Sequence, residues 1–124
     1  MRFEDFEAFC LTLPGAVLSV QWGDEHVYKV GGKMFAVAGG FGGGRGVTYT
    51  FKASDMAFEL LVEEGFARPA PYLARARWVQ LLSTDSLPEE DLQAYVRQAH
   101  ALVVAKLTRA VRSELGLGES RAGA

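Results

Sequence analysis

Two short runs of strand-forming residues, His26 to Val30 and Lys33 to Val37, are separated by only Gly31-Gly32, and this constrains the chain more than any other feature. A two-glycine link accepts the positive φ angles of a tight turn, so the two runs should fold back on each other as an antiparallel hairpin. The same strand character continues on both sides. Upstream, Leu18, Val20 and Trp22 alternate with Ser19 and Gln21, as in a strand with one buried face. Downstream, Val47, Tyr49 and Phe51 alternate with Thr48, Thr50 and Lys52. Four strands joined by short loops must be antiparallel.

Helical patterns bracket this sheet. Phe3, Phe6, Phe9, Cys10 and Leu13 recur at helical spacing until Pro14-Gly15 stops them, and Glu4, Asp5 and Glu7 suit the first turns. Ser54 is placed to cap a second helix that runs through Met56, Ala57, Leu60 and Leu61 to Glu64, with Gly65 ending it. Pro69 and Pro71 then exclude helix, and Trp78 to Leu82 reads as a short strand. Ser86-Leu87-Pro88-Glu89 has the spacing of a capping box for a long third helix. Its stripe of Leu92, Tyr95, Val96, Ala99, Leu102 and Val103 can persist through Val111 to Leu115, where Gly116 ends it. The order α-β-β-β-β-α-β-α predicts an α+β fold: one two-layer domain over residues 1–115, a mainly antiparallel sheet of about five strands flanked by three helices. Residues 116–124 read as a flexible C-terminal tail.

The chain has 124 residues, 49% of them hydrophobic, enough for one core and too few for two ordinary domains. Its 13 Lys and Arg against 15 Asp and Glu leave a net charge of -2, so any phosphate binding must rely on a local patch. The single Cys10 excludes a disulfide framework and a zinc-binding cysteine cluster, and on the apolar stripe of the first helix it reads as a small buried hydrophobe. Acids at Glu4, Asp5 and Glu7 argue against a signal peptide, and no apolar window reaches membrane-span length. Cytoplasmic residence without membrane contact is the expectation. The glycine-rich run Gly39 to Gly46 lacks the Lys-Ser/Thr pair of a P-loop, does not spell G-x-G-x-x-G, and opens onto a strand; it reads as a connector with Arg45 at its tip. His26 and His100 stand apart from each other and from any helical metal pair, and no nucleophile, histidine and acid suggest a triad. Glu63-Glu64 and Glu89-Glu90-Asp91 read as helix-terminal or surface acids, and Trp22 and Trp78 as core anchors. The expectation is therefore a non-enzymatic protein with no catalytic residues, no metal site and no cofactor.

What remains is a mixture of positive charge and aromatic surface. Arg68, Tyr72, Arg75 and Arg77 crowd the segment before Trp78. Together with Lys29 and Lys33 on the hairpin and Arg45 in the glycine-rich run, these residues form one patch if the hairpin lies beside that segment. Such a patch would hold DNA weakly by its phosphates, with Tyr72 as an aromatic contact and no reading of base sequence. Scattered, the same residues are ordinary solvated cations. The alternative is a protein-interaction or chaperone-like module that binds a protein partner or self-associates as a homodimer, through exposed apolar surface on the sheet or third helix.

From about Phe3 to Arg112 the chain resembles the MmcQ/YjbR family. The resemblance rests on Leu13-Pro14-Gly15, Lys29-Val30-Gly31-Gly32-Lys33-Met34-Phe35-Ala36, Lys52, the stretch from Pro71-Tyr72 to Trp78-Val79, and Leu102-Val103-Val104-Ala105-Lys106-Leu107. It implies a CyaY-like or double-wing α+β fold and carries the DNA-binding role ascribed to that family. The chain departs from one common pattern in having no histidine between Tyr72 and Trp78 and in carrying the Gly39 to Gly46 run.

Overall fold

The structure, a computed structural model, describes residues 1–40 and 46–117. Its elements are α1 (Phe3–Thr12), β1 (Val17–Gln21), β2 (Glu25–Val30), β3 (Lys33–Gly39), β4 (Thr48–Lys52), α2 (Asp55–Glu63), β5 (Ala67–Pro69), β6 (Trp78–Leu81), α3 (Glu89–Val104) and α4 (Arg109–Glu114). The six strands form one sheet in the order β1-β2-β3-β4-β6-β5, and every neighbouring pair is antiparallel.

The β2–β3 hairpin forms as its sequence predicts. Val30 pairs with Lys33 across Gly31 and Gly32, whose φ values are 61° and 81°. Gly31 is also needed for its small size: a β-carbon there would lie 2.7 Å from Leu107 and 3.2 Å from Val111. The turn is thereby seated under the α3–α4 connection.

The two faces of the sheet differ. The helices cover one face, where Phe6 and Cys10 of α1, Leu61 of α2, and Leu92, Val96 and Ala99 of α3 pack with Tyr28, Val30, Phe35, Tyr49, Phe51, Val79 and Leu81. Phe6 stacks on Tyr49 with ring centroids 3.9 Å apart. The other face carries a smaller cluster, Val27, Val37, Ala70 and Trp78, flanked by Met34 and Leu73. Beside it runs a polar row: Arg68 Nε and Nη2 donate to Gln80 Oε1 at 2.9 and 2.5 Å, and Gln80 Nε2 donates to Thr50 Oγ1 at 3.2 Å. Thr50 and Gln80 are buried, so these bonds offset the loss of water.

Several local expectations change. Ala67–Pro69 is an additional edge strand; Pro69, which has no N–H to offer, is tolerated there because an edge leaves one side of the backbone unpaired. Ser86 caps no helix. Its hydroxyl accepts the Ser83 N–H at 2.9 Å and closes a turn, while Pro88, with extended ψ, is the N-cap of α3. The third helix does not run on to Leu115. It stops at Val104, and Thr108 starts α4 by accepting the Val111 N–H at 3.1 Å. Trp22 is not a core anchor. It lies in the β1–β2 turn with φ 48° and 58% exposure, whereas Trp78 is buried as expected. β1 itself has no buried face: Val17, Leu18 and Val20 are 56%, 38% and 55% exposed.

Candidate functional site

The registers bring distant basic residues to one end of the sheet. Ala36 faces Phe51 and Lys52 faces Trp78, so the β2–β3 turn, the end of β4 and the start of β6 share that end. Lys29 and Lys33 flank the turn. Lys52 ends β4, and its Nζ donates to the Ala76 carbonyl, which ties the strand to the 310 turn Ala74–Ala76 that carries Arg75. Arg77, left-handed at φ 64°, closes that turn and immediately precedes β6; its Nε donates to Asp55 at 3.0 Å and its guanidinium lies 5.1 Å from the Phe58 ring centre. Lys106 and α4 join them because Leu107 and Val111 pack on Gly31. Arg112 Nη1 donates to the Leu107 carbonyl at 2.6 Å, while its buried Nε has no partner among the described residues.

These cations influence one another. Burial, then the charge of Lys106, and also that of Arg77, hold the Lys52 ammonium below the usual lysine range, against an opposing pull from Asp55. Lys29, Lys33, Lys52, Arg75, Arg77, Lys106, Arg109 and Arg112 thus gather at one end, against the acids Asp55 and Glu114.

The far end carries the opposite charge. Asp24 and Glu25 lie at the β1–β2 turn, Glu63 and Glu64 precede β5, and Asp85, Glu89, Glu90 and Asp91 follow β6. Burial, followed by the charges of Asp85, Glu4 and Asp5, pushes the Tyr49 hydroxyl up to about 12. A chain with a net charge of -2 is therefore polarised along its strands.

Of the residues singled out in the sequence, Lys29, Lys33, Arg75 and Arg77 lie at the basic end, and Tyr72, 90% exposed with φ 67°, projects from the adjoining segment. Arg68 does not join them; it lies at the middle of the edge strand β5, half-buried on Gln80. Arg45 lies outside the described residues, as does most of the 116–124 tail. Lys52, Lys106, Arg109 and Arg112 escaped the sequence-based patch because only the strand order and the α3–α4 break bring them to the hairpin.

Elsewhere, no group of three or more His, Cys, Asp or Glu able to hold a metal occurs among the described residues. Cys10 is buried, and burial with the nearby Glu7 charge pushes its thiol up, away from the reactive thiolate. A cleft of about 30 Å³ bounded by Gly40, Gly46, Thr48, Arg68 and Gln80 has room for little more than a water or two. No described helix is long and apolar enough to cross a membrane.

A model of the YjbR family matches residues 11–102, a span that contains the hairpin, the whole sheet and most of α3. The chain belongs to the YjbR family. The crystal structure of Deinococcus radiodurans protein DR2400, described as a DUF419 domain, is similar to this YjbR-family chain, with a TM-score of 0.78 and 27% sequence identity over 97% of this chain and 91% of that one. No curated protein matches it.

Proposed function

We propose that this YjbR-family protein binds the phosphate backbone of DNA through the basic end of its sheet, without catalysis and without a cofactor. The observation that carries this reading is the segregation of charge: cations from β2, β3, β4, the 310 turn before β6 and the α3–α4 region converge, while most acids lie at the other end. A local field of this kind attracts a polyanion that the net charge alone would repel. Lys33, Arg75, Lys106 and Arg109 are exposed and supply phosphate contacts, and Tyr72 adds an aromatic face beside them. Arg77, already held by Asp55 and Phe58, shapes the surface more than it binds. Contacts of this type position a protein on a duplex and do not read its bases.

Titrating labelled duplex DNA across a salt series tests the proposal. With about four phosphate contacts, log K should fall against log salt with a slope of about -4. Absence of binding at low salt, or a slope near zero, overturns it.

A further inference from the structure

The two edges of the sheet are built differently. β5 spans only Ala67–Pro69, with Arg68 at its centre and a proline that removes a donor, all devices that discourage strand addition. β1 has none of them. Its sequence Val17-Leu18-Ser19-Val20-Gln21 carries no charge and no proline, and it pairs with β2 without a bulge. Among the described residues no strand pairs with its second backbone edge, and Val17, Leu18 and Val20 remain exposed.

We infer that β1 pairs with β1 of a second copy of this chain, antiparallel and centred on Ser19, joining two six-stranded sheets into one continuous sheet. The strand is self-complementary in that register. Ser19 faces the partner's Ser19, and Leu18 faces the partner's Val20, so the two-fold operation creates the same apolar cross-strand pair twice. Both residues lie on the helix-covered side of the sheet, in line with Tyr28 and His26, beyond the reach of the core. Pairing covers them.

Charge favours a second copy over a foreign strand. Val17 lies beside Lys29, at the basic end, and Gln21 lies beside Glu25, at the acidic end. Antiparallel pairing on Ser19 sets Val17 against the partner's Gln21, so each copy's basic end meets the acidic end of the other. An unrelated extended peptide would gain the backbone hydrogen bonds without that match. The contact is short, at the lower end of specific interfaces, so association should be weak and concentration-dependent.

Sedimentation of the intact chain from low micromolar to about 0.1 mM should show the mass rise from 13.5 kDa toward twice that value. Val20→Lys and Leu18→Glu, each at an exposed position, should each weaken self-association about tenfold or more by setting a charge against an apolar residue. Their far-UV circular dichroism and urea midpoints check that each still folds. Mixing the two variants should restore a heterodimer, because the register places the new lysine opposite the new glutamate. A chain that stays monomeric throughout overturns the inference. So does a dimer that survives both substitutions, or a mixture that fails to pair.

Discussion

The Tyr28 hydroxyl donates to Glu7 Oε1 at 2.9 Å, linking the second strand to the first helix across a 21-residue separation. His26 Nδ1 meets the same oxygen at 2.7 Å, and the His26 ring is edge-on to Phe3. One half-buried carboxylate therefore fixes the angle at which α1 crosses β2. Tyr28→Phe should cost about 1.5–3 kcal/mol, the range for a hydrogen bond to a charged acceptor. Glu7→Ala should cost more, since it leaves two ring groups without their acceptor. Urea unfolding of both variants checks the order.

His100 gives the fold a pH dependence. Its Nε2 lies 2.7 Å from the Pro14 carbonyl and its ring is edge-on to Phe35, so α3 is tied to the end of α1. Burial lowers its pKa from 6.5, against a smaller upward pull from that hydrogen bond. Below 6.5 the unfolded chain therefore takes up the proton more readily than the folded one. The contribution is fully present above that pH and is lost as pH falls through the folded value. Unfolding free energies of the parent and His100→Gln, compared at steps from pH 7.5 to 5, should show a steeper acid loss in the parent.

Gly39 has φ 150°, and the Glu25 carboxylate occupies the space a β-carbon would need, with Glu25 Oε2 accepting the Gly40 N–H at 3.1 Å. Gly39→Ala must displace that carboxylate and should cost about 2 kcal/mol or more, from strain and a broken hydrogen bond together. In the double variant with Glu25→Ala, the steric part of the penalty should vanish. A double-mutant cycle by chemical denaturation measures the coupling.

The basic end predicts which cations matter for DNA. Lys33→Ala and Lys106→Ala should each weaken binding at every duplex sequence and reduce the magnitude of the salt slope by about 1. Arg2→Ala, at the acidic end beside Glu4, should leave both unchanged. Fluorescence anisotropy at several salt concentrations distinguishes the two classes.

The hairpin is legible in the sequence because its turn chemistry and the strand character beside it agree, and α1 and α2 because each has a clear stop. The break before α4 is hidden because Val103, Leu107 and Val111 keep a spacing of four across it; only the seating of Leu107 on Gly31 shows that the chain turns there. β5 is hidden for the opposite reason: three residues around a proline carry no period. The site follows suit. Lys29, Lys33, Arg75 and Arg77 flank recognisable turns or strand starts, whereas Lys52 and Lys106 become their neighbours only once β6 inserts between β4 and β5 and the C-terminal segment folds onto the hairpin. Arg68 looks equivalent to Arg75 in the sequence, and the unforeseen strand β5 turns it toward Gln80.

The polar row of Thr50, Gln80 and Arg68 has a consequence for how the sheet assembles. Each residue comes from a different strand, and all three meet only when β4, β6 and β5 are aligned. A slip of β6 by one position would push Gln80 into the aromatic core beneath the helices, turn Val79 outward and take the Gln80 acceptor away from the half-buried Arg68 guanidinium. Apolar residues at these positions would tolerate that error; the polar row rejects it, acting as a proofreading step for strand register in the half of the sheet where the chain does not connect neighbours in order.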